Sequence, residues 1–205
     1  MSLKLRLSAL WTPRRVLEDM LCRVHVSTTA ALDGLSEVYA PGAIGQMTWK
    51  VVMPEGDLEA RRAAMASGHN ARVRALVEAL GREKAIELGR KALFPVGVAL
   101  GREAKARLGA GESRADLERA ARVLYRALGI HFRLEDAADG TMLLWVDRCA
   151  LAGHYTTEAC AMLSAADEGV VAGLNPKLRM RFEQRMTDGP AECLARIGEE
   201  GKCGL

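Results

Sequence analysis

Aromatic side chains are scarce in this sequence: three Trp, three Tyr and three Phe amount to 4% of its 205 residues. That leaves little from which to build base-stacking platforms for single-stranded nucleic acid. Charge of one sign is also missing. Lys and Arg number 29 against 26 Asp and Glu, a formal net charge of +3. This is too small and too scattered to attract a nucleic-acid backbone. No apolar run approaches the roughly 18 residues a membrane span requires, so neither nucleic acid nor membrane is an expected partner. Residues 1–10 hold Lys4 and Arg6 but no sustained apolar stretch and no small-residue cleavage site. Export is therefore not signalled, and a cytoplasmic location is expected. The cysteines are odd in number, at Cys22, Cys149, Cys160, Cys193 and Cys203, with no CxxC pair. In a reducing compartment such thiols are more often free, metal-bound or catalytic than disulfide-bonded.

What is present is ordinary globular material, 49% apolar and 27% charged, on a chain long enough to hide roughly 70% of its unfolded surface. Thr12-Pro13 is a helix start, and Val16, Met20, Leu21 and Val24 follow at helical spacing. Tyr39 to Gln46, with Pro41, Gly42 and Gly45, reads as loop, and Trp49, Val51 and Val52 as a short extended piece before Pro54-Glu55-Gly56. Residues 1–56 are thus a helical and loop extension, and residues 57–205 the main α+β domain.

From Asp57 to about Leu128 the pattern is helical, with a predicted kink or break at Pro95 and Gly97 and an end at Gly109-Ala110-Gly111. Ala79-Leu80-Gly81-Arg82-Glu83 returns as Ala99-Leu100-Gly101-Arg102-Glu103, an echo put down to Ala/Arg/Glu-rich composition. Ser113 caps a last helix that stops at Gly129. Then the period changes to two. Ile130, Phe132 and Leu134 alternate with polar residues, Asp139-Gly140 turns, and Thr141–Val146 is a second strand. Thr156 or Thr157 caps a helix to Val171. Leu178, Met180 and Phe182 alternate again, Asp188-Gly189-Pro190 turns, and Cys193–Ile197 is a last strand before a polar tail from Gly198. A helical N-terminal half is therefore predicted to pack on a small antiparallel sheet with a β-β-α-β-β C-terminal half.

The chemistry concentrates in that second half. Cys149 ends a strand, Cys160 opens a helix that also carries Asp167 and Glu168, and Cys193 begins the last strand. Thiols and a carboxylate from consecutive elements suit zinc or iron, with Cys149, Cys160, Cys193 and Glu168 (or Asp167) as ligands. The C-x10-C-x32-C spacing matches no zinc knuckle, and buried cysteine also serves as a small hydrophobe. Without a metal no cofactor is expected. Cys160 near a helix N-terminus is alternatively a nucleophile, with His154 as its base and Asp167 or Glu168 moving protons. Trp145 can wall an apolar pocket, and Arg185 can pair with a substrate carboxylate. His25 and His69 sit on amphipathic helices and are expected at the surface.

The run Trp145-x3-Cys149, Cys160-x6-Asp167-Glu168, Asn175-Pro176-Lys177-Leu178 and Gly189-x3-Cys193 resembles the closing signature of the L-2-amino-thiazoline-4-carboxylic acid hydrolases. It is also similar to 4-vinyl-reductase-type small-molecule-binding domains, in which related positions hold zinc in phenol-sensing regulators. The resemblance spans roughly residues 75–197. Two positions depart from it: Ser164, where the family often has cysteine, and Arg185, where the sensor domains have another. It implies a hydrolase-like enzyme that adds water to the C=N carbon of a small thiazoline or amidine-type ring, with Cys160, Asp167, Glu168 and His154 at the reacting centre. The alternative it implies is a sensor-type domain that binds a small ligand without turnover around a structural metal. The long helices also suit a homodimer.

Overall fold

The structure, a computed structural model, describes residues 3–44 and 55–199. The expected extended piece at Trp49, Val51 and Val52, and Cys203, lie outside the described residues. Helices α1 (Leu3–Leu10), α2 (Arg14–Tyr39) and the single turn α3 (Pro41–Ile44) precede α4 (Leu58–Leu80), α5 (Arg82–Leu108) and α6 (Arg114–Leu128). Then come β1 (Ile130–Asp136), β2 (Met142–Cys149), α7 (Thr157–Leu174), β3 (Leu178–Gln184), a 3-10 turn (Met186–Asp188) and β4 (Cys193–Glu199). The strands form one antiparallel sheet in the order β1-β2-β4-β3. The architecture is α+β, with N-terminal helices on a four-stranded sheet and α7 between the strand pairs.

Local chemistry sets most boundaries. Asp57 and Ser113 cap α4 and α6 by accepting from Ala60 N and Asp116 N. Thr156 does the same for α7, through Ala159 N at 3.2 Å. Gly109 and Gly129 close α5 and α6 in the left-handed region, at φ 63° and 69°. Gly81, at φ 78°, divides what the composition suggests is one continuous helix into α4 and α5.

The predicted break at Pro95 does not occur; α5 runs unbroken through it to Leu108. An interior proline costs a helix about 3 kcal/mol, and here the backbone is held by close packing on α7. A Cβ at Gly97 would stand 1.9 Å from Ala166 O, and one at Gly101 would stand 2.4 Å from Val170 O. From the other side, a Cβ added at Gly169 or Gly173 would stand 2.1 Å from Phe94 O or 2.4 Å from Val98 O. Glycines on both helices thus bring backbone against backbone. They also separate the echoed segments: Gly81 ends a helix, whereas Gly101 packs inside one.

Three apolar clusters meet around α7. Phe132, Leu144, Met180 and Ile197 of the sheet join Leu117 and Leu174. Leu32, Leu76, Leu93 and Met162 form the helical core, and Leu21, Met65 and Leu151 a smaller third. Each fully buried Leu or Met contributes roughly 1.5–3 kcal/mol.

Candidate functional site

Where the clusters meet they leave a cavity of about 90 Å³, lined mainly by apolar groups. Members of all three clusters line it, among them Tyr125, Val146, Leu163, Met65 and Leu151.

Cys149, Cys160, Cys193 and Asp167 all reach the wall of this cavity, and so does Arg185. They arrive from the end of β2, the first turns of α7, the start of β4, the middle of α7 and the β3–β4 connection. The register shift between Phe182 and Gln184 ends the alternation of β3. Arg185 consequently turns inward, 15% exposed, although strand alternation would put it on the face of Arg179 and Arg181. Its Nε donates to Ser164 Oγ at 3.1 Å, and the guanidinium lies 5.5 Å from the Phe182 ring centroid. The two departures from the family pattern, Ser164 and Arg185, are therefore hydrogen-bonded to each other. Ser164 also accepts from Arg90 Nη1 at 3.2 Å.

The electrostatics follow from burial. Asp167 is pushed up to about 7, first by burial and then by the neighbouring Glu168. Burial drives the Cys149 thiol up to about 12. It also raises Cys160 and Cys193, with Arg185 pulling both the other way. These thiols are protonated at neutral pH, and the helix N-terminus does not make Cys160 a thiolate.

Other expected residues lie outside the cavity lining. Glu168 is buried, but it pairs with Arg90 Nη2 at 2.7 Å and accepts from Phe182 N at 3.3 Å. His154 is exposed and faces Glu59 at 3.6 Å. Trp145 lies between the core-facing Leu144 and Val146, so it points to the other face of β2, stacked under Arg133 at 5.2 Å. Among the described residues, no three His, Cys, Asp or Glu side chains stand close enough to hold a metal ion.

The sequence reading misses a polar chain on the opposite wall. His25 and His69, expected at the surface, are buried at 7% and 1% exposure. His69 Nδ1 meets the Tyr155 hydroxyl at 2.9 Å, and its Nε2 meets Thr28 Oγ1 at 3.0 Å and Thr29 Oγ1 at 3.3 Å. Thr28, His69 and Tyr155 all line the cavity. On the Arg185 side, the hydroxyl of Thr187 is buried at the cavity wall beside Cys160 and pulls that thiol's pKa down.

Fold and site together define an α+β domain with an internal cavity of small-molecule size. The chain belongs to the L-2-amino-thiazoline-4-carboxylic acid hydrolase family, whose model matches residues 60–197. Comparison with curated proteins gives no match. Among solved structures, trafficking protein particle complex subunit 3 from Naegleria fowleri, covalently bound to palmitic acid, is 13% identical with a TM-score of 0.56. That match covers 69% of this chain and 96% of the other. The phenol-responsive sensory domain of the transcription activator PoxR, with phenol, is 16% identical with a TM-score of 0.50, covering 72% of this chain and 76% of the other. At such identities the likeness is one of fold. No helix among the described residues is long and apolar enough to cross a membrane.

Proposed function

We propose that the chain is a hydrolase that adds water to the C=N carbon of a small, carboxylate-bearing heterocycle bound in the central cavity. The observation that carries this reading is Asp167, a carboxyl at about 7 in the same cavity as the Arg185 guanidinium. A group of that pKa populates both protonation states at neutral pH, as general acid–base catalysis requires.

The Arg185 guanidinium offers donors to the ligand carboxylate. The carboxylate form of Asp167 takes one proton from water as the oxygen bonds to the amidine carbon and the C=N π pair moves to nitrogen. The carbon–sulfur bond then breaks as a carbon–oxygen double bond forms; the remaining hydroxyl proton passes to that nitrogen and protonated Asp167 gives its proton to the departing sulfur, so that one water is consumed and one ureido group and one thiol appear. The cavity thiols are held protonated by burial, which favours direct attack by water over a Cys160 adduct. No step runs through a metal.

Thiol release from 2-amino-thiazoline-4-carboxylate, followed with a chromogenic thiol reagent, tests this reading. Wild type should turn over, and Asp167→Asn should lose about 10²–10⁴-fold in kcat. Full activity in Asp167→Asn would overturn the mechanism. The mainly apolar lining also favours a second reading, a binding domain without turnover. Tight binding of a small ring by a wild type that never hydrolyses it would select that one.

A further inference from the structure

We propose that Tyr155 is a specificity-determining residue, fixed by His69 as a hydrogen-bond acceptor toward the cavity, so that the ligand must present a hydrogen-bond donor, N–H or O–H, there. The inference rests on the cavity being the ligand site and does not depend on the reaction performed in it.

Counting protons along the buried chain gives the direction of each bond. Thr28 Oγ1 has one proton and donates it to Val24 O at 2.7 Å, an α-helical back-bond of the ordinary kind. Toward His69 Nε2, 3.0 Å away, that oxygen can only accept, so Nε2 carries the imidazole proton. Thr29 Oγ1, 3.3 Å from the same nitrogen, keeps its own proton for His25 Nδ1 at 3.3 Å. Nδ1 of His69 is then a bare lone pair. Among the described residues the only donor facing it is the Tyr155 hydroxyl at 2.9 Å, and this bond uses the single phenolic proton.

Burial, with His25 and Arg72 nearby, holds His69 down to about 3, so it stays neutral and the arrangement does not invert at working pH. Tyr155, itself lining the cavity, has only lone pairs left to offer. In a mainly apolar cavity an acceptor without a donor is costly. An amino or amidine N–H or a hydroxyl O–H answers it, and a methyl or carbonyl in its place does not. His69 acts here as a positioning residue: it sets which partner Tyr155 accepts without touching the ligand's reacting atoms.

Two measurements on the full chain test this. ¹⁵N NMR of the imidazole side chains at neutral pH should show His69 as the Nε2–H tautomer; an Nδ1–H tautomer overturns the proposal without any variant. Calorimetry with aniline and toluene, rings of nearly equal size differing in the N–H donor, then reads the recognition itself. The toluene-to-aniline ratio of Kd should fall by about tenfold from wild type to Tyr155→Phe. An unchanged ratio, or no binding of either probe to wild type, overturns it. A chain that discriminates the probes yet hydrolyses nothing loses the hydrolase reading and keeps this one. A chain that hydrolyses the thiazoline while its probe ratio ignores Tyr155 does the reverse.

Discussion

Replacing Gly97 by alanine adds one methyl group to a helix, a change that in isolation stabilises the helix by about 1 kcal/mol. In α5 the effect should reverse. The new Cβ would stand 1.9 Å from Ala166 O and 2.7 Å from its carbonyl carbon, against the 3.4 Å at which ordinary contact begins. The deficit is about 1.5 Å, and it falls on backbone, which has no alternative rotamer. The helices must part, loosening the neighbouring contacts at Gly101, Gly169 and Gly173 as well. Overpacking of this kind costs about 1–3 kcal/mol and sometimes more. With the seam disturbed along several residues, a net loss near 3 kcal/mol is expected, which for a chain of this size lowers Tm by roughly 6–12 °C. Gly34→Ala is the matched control. Gly34 lies within α2 with nothing within 4 Å of its added Cβ, so it should raise Tm by roughly 2–4 °C. Calorimetric or circular-dichroism melts of both variants decide the matter. A Gly97→Ala protein that melts at or above wild type would refute the argument from backbone contact.

Two further outcomes follow from burial of titrating groups. Asp167 sits at about 7 and His69 at about 3. The native state therefore holds an extra proton at Asp167 between about pH 4 and 7, and lacks one at His69 between about pH 3 and 6.5. The first effect erodes stability as pH rises and the second as pH falls. In urea titrations the stability of Asp167→Asn relative to wild type should grow from pH 5 to pH 7, by at most about 1.4 kcal/mol per unit, and then level off; a constant gap would refute the raised carboxyl. His69→Gln should flatten the acid-side decline below pH 6.5. The thiols provide a separate check, because burial raises Cys149, Cys160 and Cys193 together. Iodoacetamide at pH 7.5 should leave all three unmodified in the native chain and alkylate them after denaturation. Rapid native labelling of Cys160 would restore it as a thiolate nucleophile.

The strand half of the fold is legible because its signals are local. The shift to period two after Gly129, the Asp139-Gly140 turn and the Thr156 cap all lie where the structure uses them. The helical half is harder, because contacts distant in sequence decide it. Nothing near Pro95 says that α7 will press glycines against it, and nothing near Gly81 distinguishes that glycine from Gly101. The site divides in the same way. Cys149, Cys160, Asp167, Arg185 and Cys193 stand out by residue type, and the cavity brings them together. Trp145 has the right type, but strand alternation turns it to the other face. His69 reads as a surface histidine until Thr28 and Thr29 of α2 are laid against it, a pairing across some 40 residues that no local pattern encodes.

The glycine seam between α5 and α7 also has a mechanical meaning for the cavity. Cys160, Ser164 and Asp167 ride on a helix that cannot slide or rotate without driving carbonyl into carbonyl, so their side of the cavity is a rigid datum. Tolerance for ligands of other sizes has to come from the facing side, where α2 and α4 meet the cavity through interchangeable side chains such as Val24 and Met65. Within this architecture the chemistry is anchored and the dimensions are adjustable.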